Sequence, residues 1–125
     1  MLRRRLINTT IYSWRGLRLG WKSEEALRVE LTLAAVLVPV ALLLPVTAVE
    51  RALLIIVVAL VLIAELLNSA IEATVDRISE EFHPLSGKAK DLGSAAVFIA
   101  LVLTLIVWTL ILYPLAAAFL FGSSD

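Results

Sequence analysis

The sequence predicts an all-α membrane protein, with one amphipathic surface helix at the N-terminus followed by three transmembrane helices. Three observations predict it. Hydrophobic residues make up 61% of the chain, above the ~45–50% apolar share of ordinary soluble domains. Three long stretches are almost free of charge. The cationic residues gather in islands between those stretches, with seven of the eleven before position 30.

The first helix comes from residues 1–25. Ile7, Ile11, Trp14, Leu17 and Trp21 recur at helical spacing, which gives an apolar stripe. Trp14 and Trp21 suit the headgroup level, and Arg3, Arg4 and Arg5 suit anionic lipid. Arg18 interrupts the stripe, and Gly16 and Gly20 weaken the helix. A cleaved signal peptide does not fit, because charges from Arg15 to Arg28 interrupt any apolar core.

The spans follow. Leu31 to Val49 carries no charge, and neither does Leu92 to Gly122. About 20 residues cross a ~30 Å hydrocarbon core, so both qualify. The middle stretch, Ala52 to Ile71, qualifies only with Glu65 and Asn68 inside it. The expected division of a single domain over residues 1–125 is an interfacial helix 1–25, spans 26–48, 51–76 and 92–119, and a loop 77–91. A kink is expected near Pro39, and helix termination before Pro45. The arm before residue 30 and the 77–91 loop hold all the cations but Arg51. Positive-inside counting therefore puts both, and the N-terminus, in the cytoplasm.

Composition also excludes classes. Eleven Lys plus Arg balance eleven Asp plus Glu, which leaves no bulk charge for nucleic acid. The absence of Cys removes disulfide and thiolate-metal sites, and a single His removes His-rich metal sites. No Gly-rich phosphate loop and no soluble-kinase motif is present.

The chemistry concentrates in the run from Glu65 to Arg77. At ~100° per residue, Glu65, Asn68, Ser69, Glu72 and Asp76 lie within about 60° of one line down the helix. An acid at the centre of a span costs roughly 2.5–3.5 kcal/mol on insertion scales. Such a stripe must face protein, water, cations or a ligand. A polar packing seam explains one Asn or Ser, but not three carboxylates. Glu65 lies seven residues above Glu72, ~10 Å deeper in the membrane. The outer acids meet aqueous ions, whereas the inner one meets only what the membrane already holds. A reaction between a soluble and a lipid reactant fits those two depths. Lys90 puts an ammonium at the surface, where phosphate would arrive, although snorkelling as an anchor also explains it. Acids with a phosphate-reaching Lys suggest Mg²⁺ bound by one or two carboxylates and nucleotide oxygens. A small proton-coupled transporter would use Glu65 alone. A pore-forming or assembly protein would explain the size but not the stripe.

Tyr12-Ser13-Trp14-Arg15-Gly16-Leu17, Trp21 to Glu30, Glu65 to Arg77 and Gly87 to Ala96 together resemble the prokaryotic membrane diacylglycerol kinase family across nearly the whole chain. The resemblance implies a homotrimer in the bacterial inner membrane, with active sites shared between subunits at the cytoplasmic boundary. It implies transfer of the γ-phosphoryl of ATP, with Mg²⁺, to diacylglycerol. By matched motif, Glu65 resembles the general base and Asn68 a residue that orients reactants. Glu24 and Glu72 resemble the metal carboxylates. Lys90 and Asp91 resemble nucleotide-site residues, with Arg5, Tyr12, Glu81, Phe82 and His83 in the same region. Arg5, Trp14, Arg18, Trp21, Glu30, Arg51, Ser94, Trp108 and Tyr113 would lie near the lipid. Pro84 is similar to the undecaprenol kinase branch, and Gly93-Ser94-Ala95-Ala96 to the diacylglycerol branch. Undecaprenol is thus the alternative lipid.

Overall fold

The computed structural model describes residues 1–122. Four helices account for nearly all of them: α1 Leu2–Ser23, α2 Glu25–Leu43, α3 Ala48–Ile78 and α4 Pro84–Phe121. Helices α2, α3 and α4 are each long and apolar enough to cross a membrane. With 31 and 38 residues, α3 and α4 reach ~46 Å and ~57 Å at 1.5 Å per residue. Both exceed the ~30 Å hydrocarbon core. The polar ends of α3 and α4, around Asp76 and Lys90, can therefore project past the hydrocarbon.

Helix α1 buries none of its residues. Trp14 and Trp21 stay exposed, as an interfacial helix requires. Gly16 and Gly20 do not break it. Gly20 instead makes room for the turn into α2, since a Cβ there would run into the Leu27 side chain. Leu27 is completely buried. Glu24 is extended between the two helices, and its N–H donates to Gly20 O at 2.8 Å. The Arg28 guanidinium donates to Trp21 O at 3.2 Å and Lys22 O at 3.3 Å. These bonds satisfy carbonyls that the end of α1 leaves without partners.

Helix α2 stops at Leu43, five residues short of the expected end of the first span at 48. Pro39 stays inside it. The stop comes from Pro45, which drives the preceding residue out of the helical region. Leu44 accordingly takes φ −66°, ψ 143°. Thr47 then caps α3 in a reciprocal box with Glu50: Glu50 N donates to Thr47 Oγ1 at 3.2 Å, and Thr47 N to Glu50 Oε1 at 3.1 Å. The Arg51 guanidinium reaches back to the carbonyls of Leu42, Leu44 and Val46, which ties the two helices together.

The 77–91 loop is much shorter than expected, because α3 runs to Ile78 and α4 begins at Pro84. Proline suits the first helical position, where no N–H is needed. His83 caps the helix, its Nδ1 accepting from Leu85 N at 3.1 Å. Lys88, Lys90 and Asp91 therefore stand on a helix and not in a loop.

Helices α3 and α4 run antiparallel in continuous contact. Thr104 Oγ1 donates to Val57 O at 3.2 Å and Trp108 Nε1 to Leu54 O at 3.2 Å. A small apolar core of Ala41, Leu54 and Ile111 closes that end of the bundle. Elsewhere large apolar side chains face outward on every span, among them Val36, Ile63, Phe98 and Leu110. Faces of that extent require lipid or other protein against them.

Candidate functional site at the polar end of the bundle

The acidic stripe of α3 is graded in burial. Glu65 is 6% exposed and Asn68 7%, Ser69 and Glu72 are half-buried, and Asp76 is exposed. Depth along one helix thus produces two environments from one set of side chains. The inner pair is shielded from solvent by protein, and the outer pair is open to it.

Three further elements converge on this stripe. Glu30 from α2 and Glu24 from the α1–α2 elbow join Glu72 within electrostatic range of Glu65. Helix α4 closes the other side: Gly93 is buried and lies directly against Asn68, so that a Cβ there would stand 3.2 Å from Asn68 Cγ. Four carboxylates from two helices and the elbow repel one another unless protons or cations intervene. Three buried side-chain atoms among the described residues have no hydrogen-bond partner: Glu30 Oε2, Asn68 Oδ1 and Ser69 Oγ. All belong to this cluster. An unpaired buried polar atom costs about 1–3 kcal/mol, so the cluster calls for further partners beyond this single chain.

Lys90 approaches from α4, its Nζ 2.7 Å from Asp76 Oδ1. Both side chains are substantially exposed, at 41% and 60%, so the pair contributes only ~0–1 kcal/mol. The ammonium is held next to the stripe without being consumed by it. Beyond it, Asp76, Glu81, Phe82, His83 and Lys90 border a cavity of about 240 Å³. Because His83 Nδ1 accepts from the backbone, its Nε2 is the nitrogen left for other partners.

The remaining expected site residues distribute unevenly. Trp14, Arg18 and Trp21 share a groove of about 420 Å³ between α1 and α2. Asp91 and Ser94 are exposed on α4 near the site. Arg5 and Tyr12 are exposed on α1 and border none of these cavities, and Tyr12 is covered by the Arg15 guanidinium at 5.7 Å. Three residues expected near the lipid lie at the opposite end. Arg51 is fourteen residues from Glu65 along α3, ~21 Å at 1.5 Å per residue, and its guanidinium is occupied by backbone carbonyls. Trp108 bonds to Leu54, and with Tyr113 it borders a separate groove of about 450 Å³. Within one chain the structure does not bring these three to the acidic cluster.

Sequence reasoning missed the contribution of Gly93, although its motif was in view. The Thr47-to-Glu50 capping box is legible in the sequence as Thr-x-x-Glu. Among the described residues, no group of three or more His, Asp or Glu side chains is arranged to hold a metal unaided. Glu24 and Glu72 each lie within electrostatic range of Glu65, a donor set that suits a Mg²⁺ held by one or two carboxylates and completed by phosphate oxygens.

Residues 11–112 match the family model described as prokaryotic diacylglycerol kinase. The chain is 51% identical over 109 residues to a diacylglycerol kinase of Escherichia coli strain K12, covering 87% of this chain and 89% of that protein. It is 54% identical over the same length and shares to a diacylglycerol kinase of Pseudomonas aeruginosa. A diacylglycerol kinase of Haemophilus influenzae is 53% identical over 108 residues, covering 86% and 92%.

Proposed function

The chain belongs to the prokaryotic diacylglycerol kinase family, and from that premise we propose that it transfers the γ-phosphoryl group of ATP to the free hydroxyl of diacylglycerol, giving phosphatidic acid and ADP. That it is a lipid kinase and a multi-pass membrane protein follows from the family and from its three apolar helices. Family membership displaces the transporter reading of Glu65. The observation that carries the substrate reading is the gradient along α3, with buried Glu65 and Asn68 above accessible Glu72 and Asp76.

In this reading the lipid hydroxyl reaches Glu65 from the hydrocarbon side. The Glu65 carboxylate accepts the hydroxyl proton as the oxygen attacks the γ-phosphorus. The bond from γ-phosphorus to the β–γ bridging oxygen breaks, and ADP leaves with that oxygen. Asn68, one turn below Glu65, holds the reacting groups in line, and positioning of this kind supplies most of the catalysis in phosphoryl transfer. Lys90 neutralises phosphate charge, as the point-charge role of lysine allows. Glu24 and Glu72 would hold Mg²⁺, which when bound supplies charge neutralisation of the phosphate oxygens. The unpaired Ser69 hydroxyl is available to donate to an ester oxygen of the diacylglycerol. The loop cavity with Glu81, Phe82 and His83 is where the nucleotide base would lie.

Arg5 and Tyr12 stand apart from that cavity within one chain, which supports a homotrimer whose neighbouring subunits complete each site. Cation placement supports an inner-membrane protein with a cytoplasmic N-terminus. The test is transfer of ³²P from ATP to diacylglycerol by purified protein in lipid, with and without Mg²⁺, and with undecaprenol in competition. Mg²⁺-dependent labelling of diacylglycerol is the expected result. Preferential labelling of undecaprenol would replace the substrate.

A further inference from the structure

Asn68 occupies an unusual position. It is 7% exposed, and its Oδ1 is buried without any hydrogen-bond partner. A carboxamide has two donors and an acceptor, and in a bilayer-spanning helix such groups ordinarily find protein partners. What packs on it is Gly93 of α4, itself buried. A Cβ built on Gly93 would overlap Asn68 Oδ1, stand 3.2 Å from its Cγ and remain at an ordinary 3.6 Å from its Cα. The conflict is therefore with the end of the Asn68 side chain and not with the α3 backbone. The space that the glycine leaves open is the space that the carboxamide fills. The oxygen faces the α-hydrogen of Gly93, a weak partner at best, so the space at Gly93, and not a strong hydrogen bond, fixes where the carboxamide stands.

We infer that Gly93 is a positioning residue for the phosphoryl-transfer site, and that its missing side chain sets where the Asn68 carboxamide stands. The inference rests on the reading of Asn68 as a residue that orients reactants. An alanine at 93 leaves the helix contact tolerable, because only a flexible tip must move. That tip rotates away from α4 and no longer lines up the reacting groups. The effect falls on the chemical step and spares nucleotide affinity.

The sequence permits a direct reading of the carboxamide. Asn8 and Asn68 are the only asparagines, and there is no glutamine. Protein labelled with [¹⁵N]asparagine thus shows two side-chain amide groups, and Asn8 on α1 serves as an internal reference. The experiment compares parent and Gly93→Ala proteins in lipid nanodiscs by the spectrum of these amides and by steady-state kinetics. The expected result is displacement of the Asn68 amide signals with those of Asn8 unmoved, a fall in kcat of about tenfold or more, and a change in KM for ATP of less than about threefold. An unmoved Asn68 signal, or a kcat within about twofold of the parent, would overturn the inference. Should Gly93→Ala not fold, the double variant Gly93→Ala/Asn68→Ala decides. Recovery of folded protein on removing the carboxamide supports the inference, and equal loss in both contradicts it. Parent-level kcat in Asn68→Ala alone would instead remove the role given to Asn68, and it is distinguishable because the amide shift in Gly93→Ala does not depend on activity.

Discussion

Lys90 of α4 and Asp76 of α3 form an ion pair of 2.7 Å at the polar end of the bundle, one turn of α3 beyond Glu72. The two residues bridge α3 and α4 just past the acidic stripe. Exposure makes the pair weak, so the ammonium can exchange Asp76 for a phosphate oxygen at little energetic cost.

Stability and activity should therefore separate at this pair. Asp76→Asn is expected to change unfolding free energy by no more than about 1 kcal/mol. Lys90→Ala is expected to lower kcat/KM for ATP by about 100-fold or more, corresponding to ~2.7 kcal/mol of lost transition-state stabilisation. Thermal unfolding in detergent and initial rates at varied ATP check the two arms.

The Arg51 clasp predicts the opposite separation. Arg51→Ala removes the side-chain donor of Val46 O and one of two donors to Leu44 O, at about 1 kcal/mol per bond lost. Arg51→Lys should recover only part of this, since an ammonium does not span several carbonyls as a guanidinium fork does. The half-life at elevated temperature should shorten in both variants, while KM for ATP stays at the parent value.

The elbow offers a third test. Gly20 lets Leu27 pack beneath α1, and Arg28 fixes the end of α1. Both determine where Glu24 stands. Gly20→Val should raise the Mg²⁺ concentration needed for half-maximal activity by about fivefold or more, by displacing one of the two carboxylates proposed to hold Mg²⁺. A Mg²⁺ titration at saturating ATP reads the effect.

Much of this arrangement was legible in the residue order. Charge-free stretches and cation islands located the three apolar helices, and helical spacing put Glu65, Asn68, Ser69, Glu72 and Asp76 on one face. Burial of Glu65 and Asn68 followed from the cost of exposing them to hydrocarbon. What stayed hidden depends on contacts between distant parts of the chain. The start of α4 at Pro84 came from a His83 cap and a proline in a stretch whose charges read as loop. The end of α2 at Leu43 came from the conformational reach of Pro45. The placement of Gly93 against Asn68 and of Glu30 beside Glu65 is a matter of helix register, which periodicity along one helix does not contain. Arg51 was read by resemblance as a lipid neighbour, while its guanidinium serves the α2–α3 turn.

The most direct measurement is ³²P transfer from ATP to diacylglycerol by Glu65→Gln and Glu72→Gln proteins across a range of Mg²⁺ concentrations. Glu65→Gln should stay at least about 100-fold below the parent at every Mg²⁺ level, because a carboxamide cannot accept the hydroxyl proton. Glu72→Gln should be severely impaired at low Mg²⁺ and partly restored as Mg²⁺ rises. Transfer by Glu65→Gln at the parent rate would contradict the proposal of a deep, buried base on α3.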